Sequence, residues 1–278
     1  MENGAIRNAF INGQAMAEQL RATWTILLLL ACFMHGHGQQ TSSVQYLHGA
    51  MVRGDTSKME LALVFTGDEY ADGGLHIARV LDQHGIKGSF FFTGKFYRNP
   101  DFAAIIGQLR ENGHYLGAHS DRHLLYCDWN NRDSLLVTRE EFEEDLRNNY
   151  EAMRPFSITR EDAPYFLPPF EWYNDSISAW TSAMGLQLVN FTHGTLSHAD
   201  YTVPGTPPYR SSQAIYRSIL EYEYGQKSGL NGFLLLSHIG TDPQRTDKFY
   251  LEMENLILSL RDRGYRFLRI DELLDRAR

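Results

Sequence analysis

Two cysteines, Cys32 and Cys127, are all that this chain of 278 residues contains, so neither a disulfide framework nor a Cys-x-x-Cys motif underlies its fold. It has no basic excess: 26 Lys and Arg stand against 34 Asp and Glu, a formal charge of −8. That balance excludes a nucleic-acid partner, which would call for a basic face. No Gly-rich phosphate loop follows the first strand candidate, and no internal repeat, low-complexity tract or charge block interrupts the chain. Disorder is excluded for its bulk by 43% hydrophobic and 22% charged residues, an ordinary globular balance. An apolar run of about 20 residues, the length a bilayer demands, is also missing. Residues 24–34 (WTILLLLACFM) are a shorter run preceded by Arg21, the pattern of an export signal. Residues 1–38 therefore read as a signal peptide or lipoprotein signal, residues 39–57 as an extension, and residues 58–278 as a single domain. Two exits compete: one after Gly38 that frees Gln39, and a lipobox, Leu29-Leu30-Ala31-Cys32, that leaves Cys32 lipidated. The expected location is outside the cytoplasm, with membrane contact only through an anchor at Cys32.

Past residue 58, short apolar runs alternate with helical patterns. Strands are expected at 61–65, 88–93, 115–118, 164–167, 187–191, 232–237 and 266–270, each rich in β-branched, Leu or aromatic side chains. Helical periodicity covers 75–81, 140–153, 211–226, 246–263 and 271–277, and Thr138-Arg139-Glu140-Glu141 is a capping-box signature. Seven alternating units predict an α/β fold, a distorted (β/α)7 barrel with a parallel sheet. Its chemistry belongs at the C-terminal ends of the strands. Polar residues do gather there: Asp68-Glu69 after the first strand, His119-Ser120-Asp121-Arg122-His123 after the third, Glu171 past the fourth, Asp200-Tyr201 past the fifth and His238 at the end of the sixth. Two His four apart meet one cation if they share a helical turn. With Asp68 they would make an open nitrogen-and-oxygen site suited to zinc and tolerant of cobalt, nickel or manganese.

With those residues in view, the chain resembles the polysaccharide deacetylases of the NodB-homology type, the family 4 carbohydrate esterases. The resemblance spans about residues 58–274 and rests on ordered motifs: LVFTGDE, IKGSFFFTG, NGHYLGAHSDRH, FLPPF, SHADY and LLLSH. It implies His119 and His123 as metal ligands, which with Asp68 would hold one divalent ion, zinc foremost, and His238 as general acid supported by Asp200. It further implies that Phe170 lends its backbone N–H to the oxyanion and that Tyr201 stands where the family has Trp. Trp172 is a candidate for stacking on a sugar ring.

The chain also departs from the family. Where the family reads T-F-D-D, this chain reads Val64-Phe65-Thr66-Gly67-Asp68. An ungapped match loses both carboxylates; a one-residue slide keeps Asp68 for the metal and still loses the base. The family's third motif opens on an Arg that pairs with that base, and Leu167 replaces it. Glu171 is the expected substitute base, with Asp121 behind it. The leading expectation is a metal-dependent hydrolase that removes acetyl groups from a glycan. The alternatives are a non-catalytic carbohydrate-binding relative and an amidohydrolase for a small non-sugar amide. The oligomeric state is left open.

Overall fold

The computed structural model describes residues 44–275; the export signal and Cys32 lie outside the described residues. The chain runs β1 (Gln45–Leu47), β2 (Ala50–Arg53), β3 (Glu60–Gly67), α1 (Gly74–Gln83), β4 (Ser89–Phe92), α2 (Gly94–Arg98), α3 (Ala103–Glu111) and β5 (Tyr115–Ala118). It continues through α4 (Arg139–Met153), β6 (Tyr165–Phe166), α5 (Asp175–Ala183), β7 (Gln187–Leu188), α6 (Ser212–Gly225), β8 (Phe233–His238), α7 (Met253–Arg261), β9 (Arg266–Phe267) and α8 (Ile270–Asp275).

The sheet order is β1-β2-β8-β3-β4-β5-β6-β7, and the six strands from β8 through β3 to β7 pair in parallel. All eight residues of β3, at the centre, are buried. Phe90, Phe91 and Phe92 of β4 are buried in succession, as in a strand covered on both faces. The sheet curls until β2 bridges its two ends. β2 runs antiparallel to β8, and Met51 pairs with Val189, just past β7. The seventh expected strand takes another place: β9 touches only the start of β3, at Glu60 and Leu61. Part of the stretch expected to be an extension, residues 50–53, therefore belongs to the curled sheet.

Helix boundaries follow local chemistry. Thr138 and Glu141 form both halves of the capping box on α4. Ser211 caps α6 through the Ala214 N–H. The expected 246–263 helix is shorter, because residues 249–252 form a 3-10 turn before α7.

Candidate active site

The C-terminal ends of the parallel strands surround a cleft of about 610 Å³. Asp68, Glu69, His119, His123, Phe170, Glu171, Tyr201 and His238, drawn from five strand exits, all line it.

His119 follows β5 directly, and three hydrogen bonds hold it. Its backbone N–H donates to Asn149 Oδ1 at 2.8 Å and to the Phe92 carbonyl at 3.1 Å, and its Nδ1 meets the Leu167 carbonyl at 2.8 Å. A carbonyl only accepts, so Nδ1 carries the proton and Nε2 keeps its lone pair, the form a metal requires. His123 lies 5.2 Å away, centroid to centroid. The helical turn expected to join them does not exist. Residues 119–123 form a loop in which Ser120 and His123 adopt left-handed φ of 74° and 56°. Asp145 of α4 holds that loop: its carboxylate accepts from Ser120 Oγ at 2.6 Å, the Asp121 N–H at 3.0 Å and the Arg122 N–H at 3.2 Å. Burial, foremost, and the neighbouring imidazole hold His119 well below its ordinary value. His123 is also lowered by burial, with Asp68 pulling the other way. Both rings are therefore held neutral, as metal ligands must be.

Asp68 faces the same cleft, but its carboxylate is engaged. Oδ1 accepts from Thr93 Oγ1 at 2.9 Å, and Oδ2 lies 3.7 Å from the Lys95 ammonium, which itself binds Glu69 at 2.6 Å. Among the described residues no group of three His, Cys, Asp or Glu converges on one point as a metal site. The donor chemistry fits a divalent ion, and the carboxylate does not yet close the set. The alternative position, Gly67, is sterically barred. A Cβ there would stand 2.7 Å from Ile239 Cγ2 and 2.9 Å from Phe92 Cδ1, so a carboxylate at 67 would project into packed core rather than into the cleft. Thr66, in register with His238, is buried in the lining, and its hydroxyl has no hydrogen-bond partner among the described residues.

His238 ends β8, beside β3, and Asp200 grips it twice: Oδ1 is 2.6 Å from Nδ1, and Oδ2 accepts the backbone N–H at 2.9 Å. This orients the ring and leaves Nε2 for the cleft. Burial alone would lower His238, but Asp200, with Glu171 adding to it, raises the imidazole above its ordinary value. Glu171 is pushed up to about 7, chiefly by burial and further by Asp200, while His238 opposes the shift. Phe170 and Glu171 both take left-handed φ, 56° and 53°, a costly backbone for two consecutive non-glycine residues. Asn190 fastens the turn by donating to the Glu171 carbonyl at 2.9 Å. The fallback base, Asp121, is spent on Arg98 at 2.6 Å.

Trp172 corrects another expectation. It is half-buried, donates Nε1–H to the Asp128 carbonyl at 3.2 Å and carries the Arg132 guanidinium 3.5 Å above its ring. It braces a loop and does not line the cleft. Trp129 does line it, and the sequence reading passed over this residue. The signal was a large aromatic inside the turn-forming stretch Asp128-Trp129-Asn130-Asn131. Asp145 and Asn149, which position the His loop, were missed because they read as ordinary polar helix residues.

The family profile for polysaccharide deacetylases matches residues 53–189. Those residues belong to the polysaccharide deacetylase family. The peptidoglycan-N-acetylmuramic acid deacetylase PdaA of Bacillus subtilis is 24% identical over 85% of this chain and 80% of its own. A chitin deacetylase of Arthroderma benhamiae is 23% identical over 81% of this chain and 54% of its own. Among solved structures, that of PdaA superposes with a TM-score of 0.62 at 22% identity, covering 83% of this chain and 87% of that one. A family 4 carbohydrate esterase pseudoenzyme from Bacillus anthracis superposes at 0.64 with 16% identity, covering 83% and 70%. A mutant of that pseudoenzyme is described as having restored activity. The deacetylase fold is thus shared by active and inactive proteins, so the site itself must carry the functional argument.

Proposed function

We propose that the protein removes acetyl groups from a peptidoglycan- or chitin-type glycan, with Glu171 as general base and His238 as general acid. The observation that carries this reading is the placement of a carboxyl shifted to about 7 and an Asp200-held imidazole in one cleft. Groups that exchange protons near neutrality are what general acid–base catalysis uses. Glu171 takes the proton of the attacking water. His238, its Nδ1–H fixed by Asp200, delivers a proton from Nε2 to the departing sugar oxygen or nitrogen. Phe170 lends its backbone N–H to the developing oxyanion. The test is acetate release from chitooligosaccharides, acetylated xylan and peptidoglycan; release from none of them would overturn the reading. Thr66 and Gly67, which lack the usual carboxylates, support a second reading, a glycan-binding protein without turnover. That reading expects glycan binding with no acetate.

His119, His123 and Asp68 would hold a divalent ion, zinc foremost, once the Asp68 carboxylate leaves Lys95. Bound there, such an ion supplies Lewis acidity toward the acetyl carbonyl. Elemental analysis of protein purified without chelator is expected to find close to one divalent ion per chain, and His119→Ala should lose it. Metal retained in the double variant His119→Ala, His123→Ala would refute the assignment.

Residues 24–34 support action outside the cytoplasm. Mass spectrometry of the native protein should find an N-terminus at Cys32, lipidated, or at Gln39; an intact Met1 or Met16 start recovered from cytosol would rule out export.

A further inference from the structure

Building on the glycan reading, we propose that Trp129 forms a second sugar position beside the reacting one, so that the protein takes a chain of gluco-configured amino sugars rather than a single sugar. Trp129 is 53% exposed and lines the cleft, with Phe170, 41% exposed, next to it. A half-bare indole on a loose loop would mean little, but this loop is braced. Cys127 pairs with Leu135, and the Asp128 N–H donates to the Ser134 carbonyl at 2.9 Å. Asp128 Oδ1 accepts the N–H groups of Asn130 and Asn131 at 2.8 and 2.9 Å. Trp172 and Arg132 clamp the loop from beneath, the latter by donating to the Tyr173 carbonyl at 2.6 Å. The fold holds Trp129 in place without burying it, an arrangement that lowers the entropic cost of binding.

Position and chemistry narrow the occupant. The rings run outward in a row: Phe170 is 4.4 Å from His123, and Trp129 is 5.7 Å from Phe170 at an interplanar angle of 79°. A ring resting on Trp129 therefore lies beside the His loop and not on it. A pyranose with every ring substituent equatorial presents axial C–H groups on both faces, and those pack against the electron-rich face of an indole. An axial hydroxyl spoils one of these faces. Four carboxyls, Asp68, Glu69, Glu171 and Asp242, line the cleft, and the Lys95 ammonium beside it pairs with two of them, Asp68 and Glu69. The acidic balance that is left disfavours sugars carrying a carboxylate.

Calorimetry with the full chain tests the proposal, using chitotetraose, N-acetylglucosamine and a muramic-acid-containing oligosaccharide as probes. Chitotetraose should bind at least tenfold more tightly than the monosaccharide and more tightly than the muramic oligomer. Trp129→Ala should abolish the tetramer's advantage, and Trp129→Tyr should keep most of it, with circular dichroism unchanged in both. Equal affinity for tetramer and monomer, no binding of the tetramer, preference for the muramic oligomer, or an unaltered tetramer affinity in Trp129→Ala would each overturn it. Tetramer bound through Trp129 without acetate release would refute the hydrolase and leave this position standing. Acetate release with affinity indifferent to Trp129 would do the reverse.

Discussion

Glu171→Gln is expected to cut acetate release at least tenfold, and by as much as about 10⁴, the range a positioned general base contributes. The variant is nearly isosteric, and Asn190 binds the backbone carbonyl rather than the side chain, so the turn and the fold should survive. The pH profile separates this role from a structural one. A base must be deprotonated to act, and burial holds Glu171 at about 7, so wild-type kcat/KM should rise as pH increases through about 7. That acid limb should vanish in Glu171→Gln. On the alkaline side, activity should fall as His238, raised above its ordinary value by Asp200, gives up the proton it must deliver. Wild-type turnover in Glu171→Gln, or an unchanged acid limb, would remove Glu171 from the mechanism.

The largest stability effect is expected at Asp145→Ala, about 3–5 kcal/mol, from buried donors left without an acceptor at about 1–3 kcal/mol each; the Arg122 side chain, which is exposed, adds little. Asp145 is fully buried on α4 and accepts from Ser120, Asp121, Arg122 and Tyr126. Its loss takes the acceptor from three buried donors, the Ser120 and Tyr126 hydroxyls and the Asp121 N–H. It also releases the left-handed bends that place His119 and His123 on one cleft. Urea unfolding should show the lost stability, and metal content should fall with it. A midpoint close to wild type would mean that water satisfies those donors and that the loop holds itself.

Much of the architecture was legible locally. Burial on both faces makes a parallel strand a nearly continuous apolar run, so six of the seven expected strands stand within a few residues of their places in the curled sheet. Thr138 with Glu141, and Ser211, marked helix starts because a capping side chain lies within three residues of the N–H it satisfies. β9 was legible as a strand but not in its place, because a two-residue strand does not encode which neighbour it will touch. β2 was missed for the same reason: four residues that complete the curl do so through partners about 140 and 180 positions away.

By itself the sequence determined the family to which residues 53–189 belong, the parallel α/β sheet, and His119, His123, Asp200, Glu171 and His238 as groups at strand exits. Each of these depends on spacing or order along the chain, which is all a sequence records. Only the tertiary structure decided that a loop pinned by Asp145, rather than a helical turn, unites the two His. It alone also showed that Gly67 has no room for a carboxylate, that burial lifts Glu171 to about 7, and that Trp129 rather than Trp172 faces the cleft. Those outcomes depend on desolvation, on the close packing of Gly67 against Ile239, and on hydrogen bonds from residues 23 to 25 positions before Asp145, and such contacts exist only once the chain has folded.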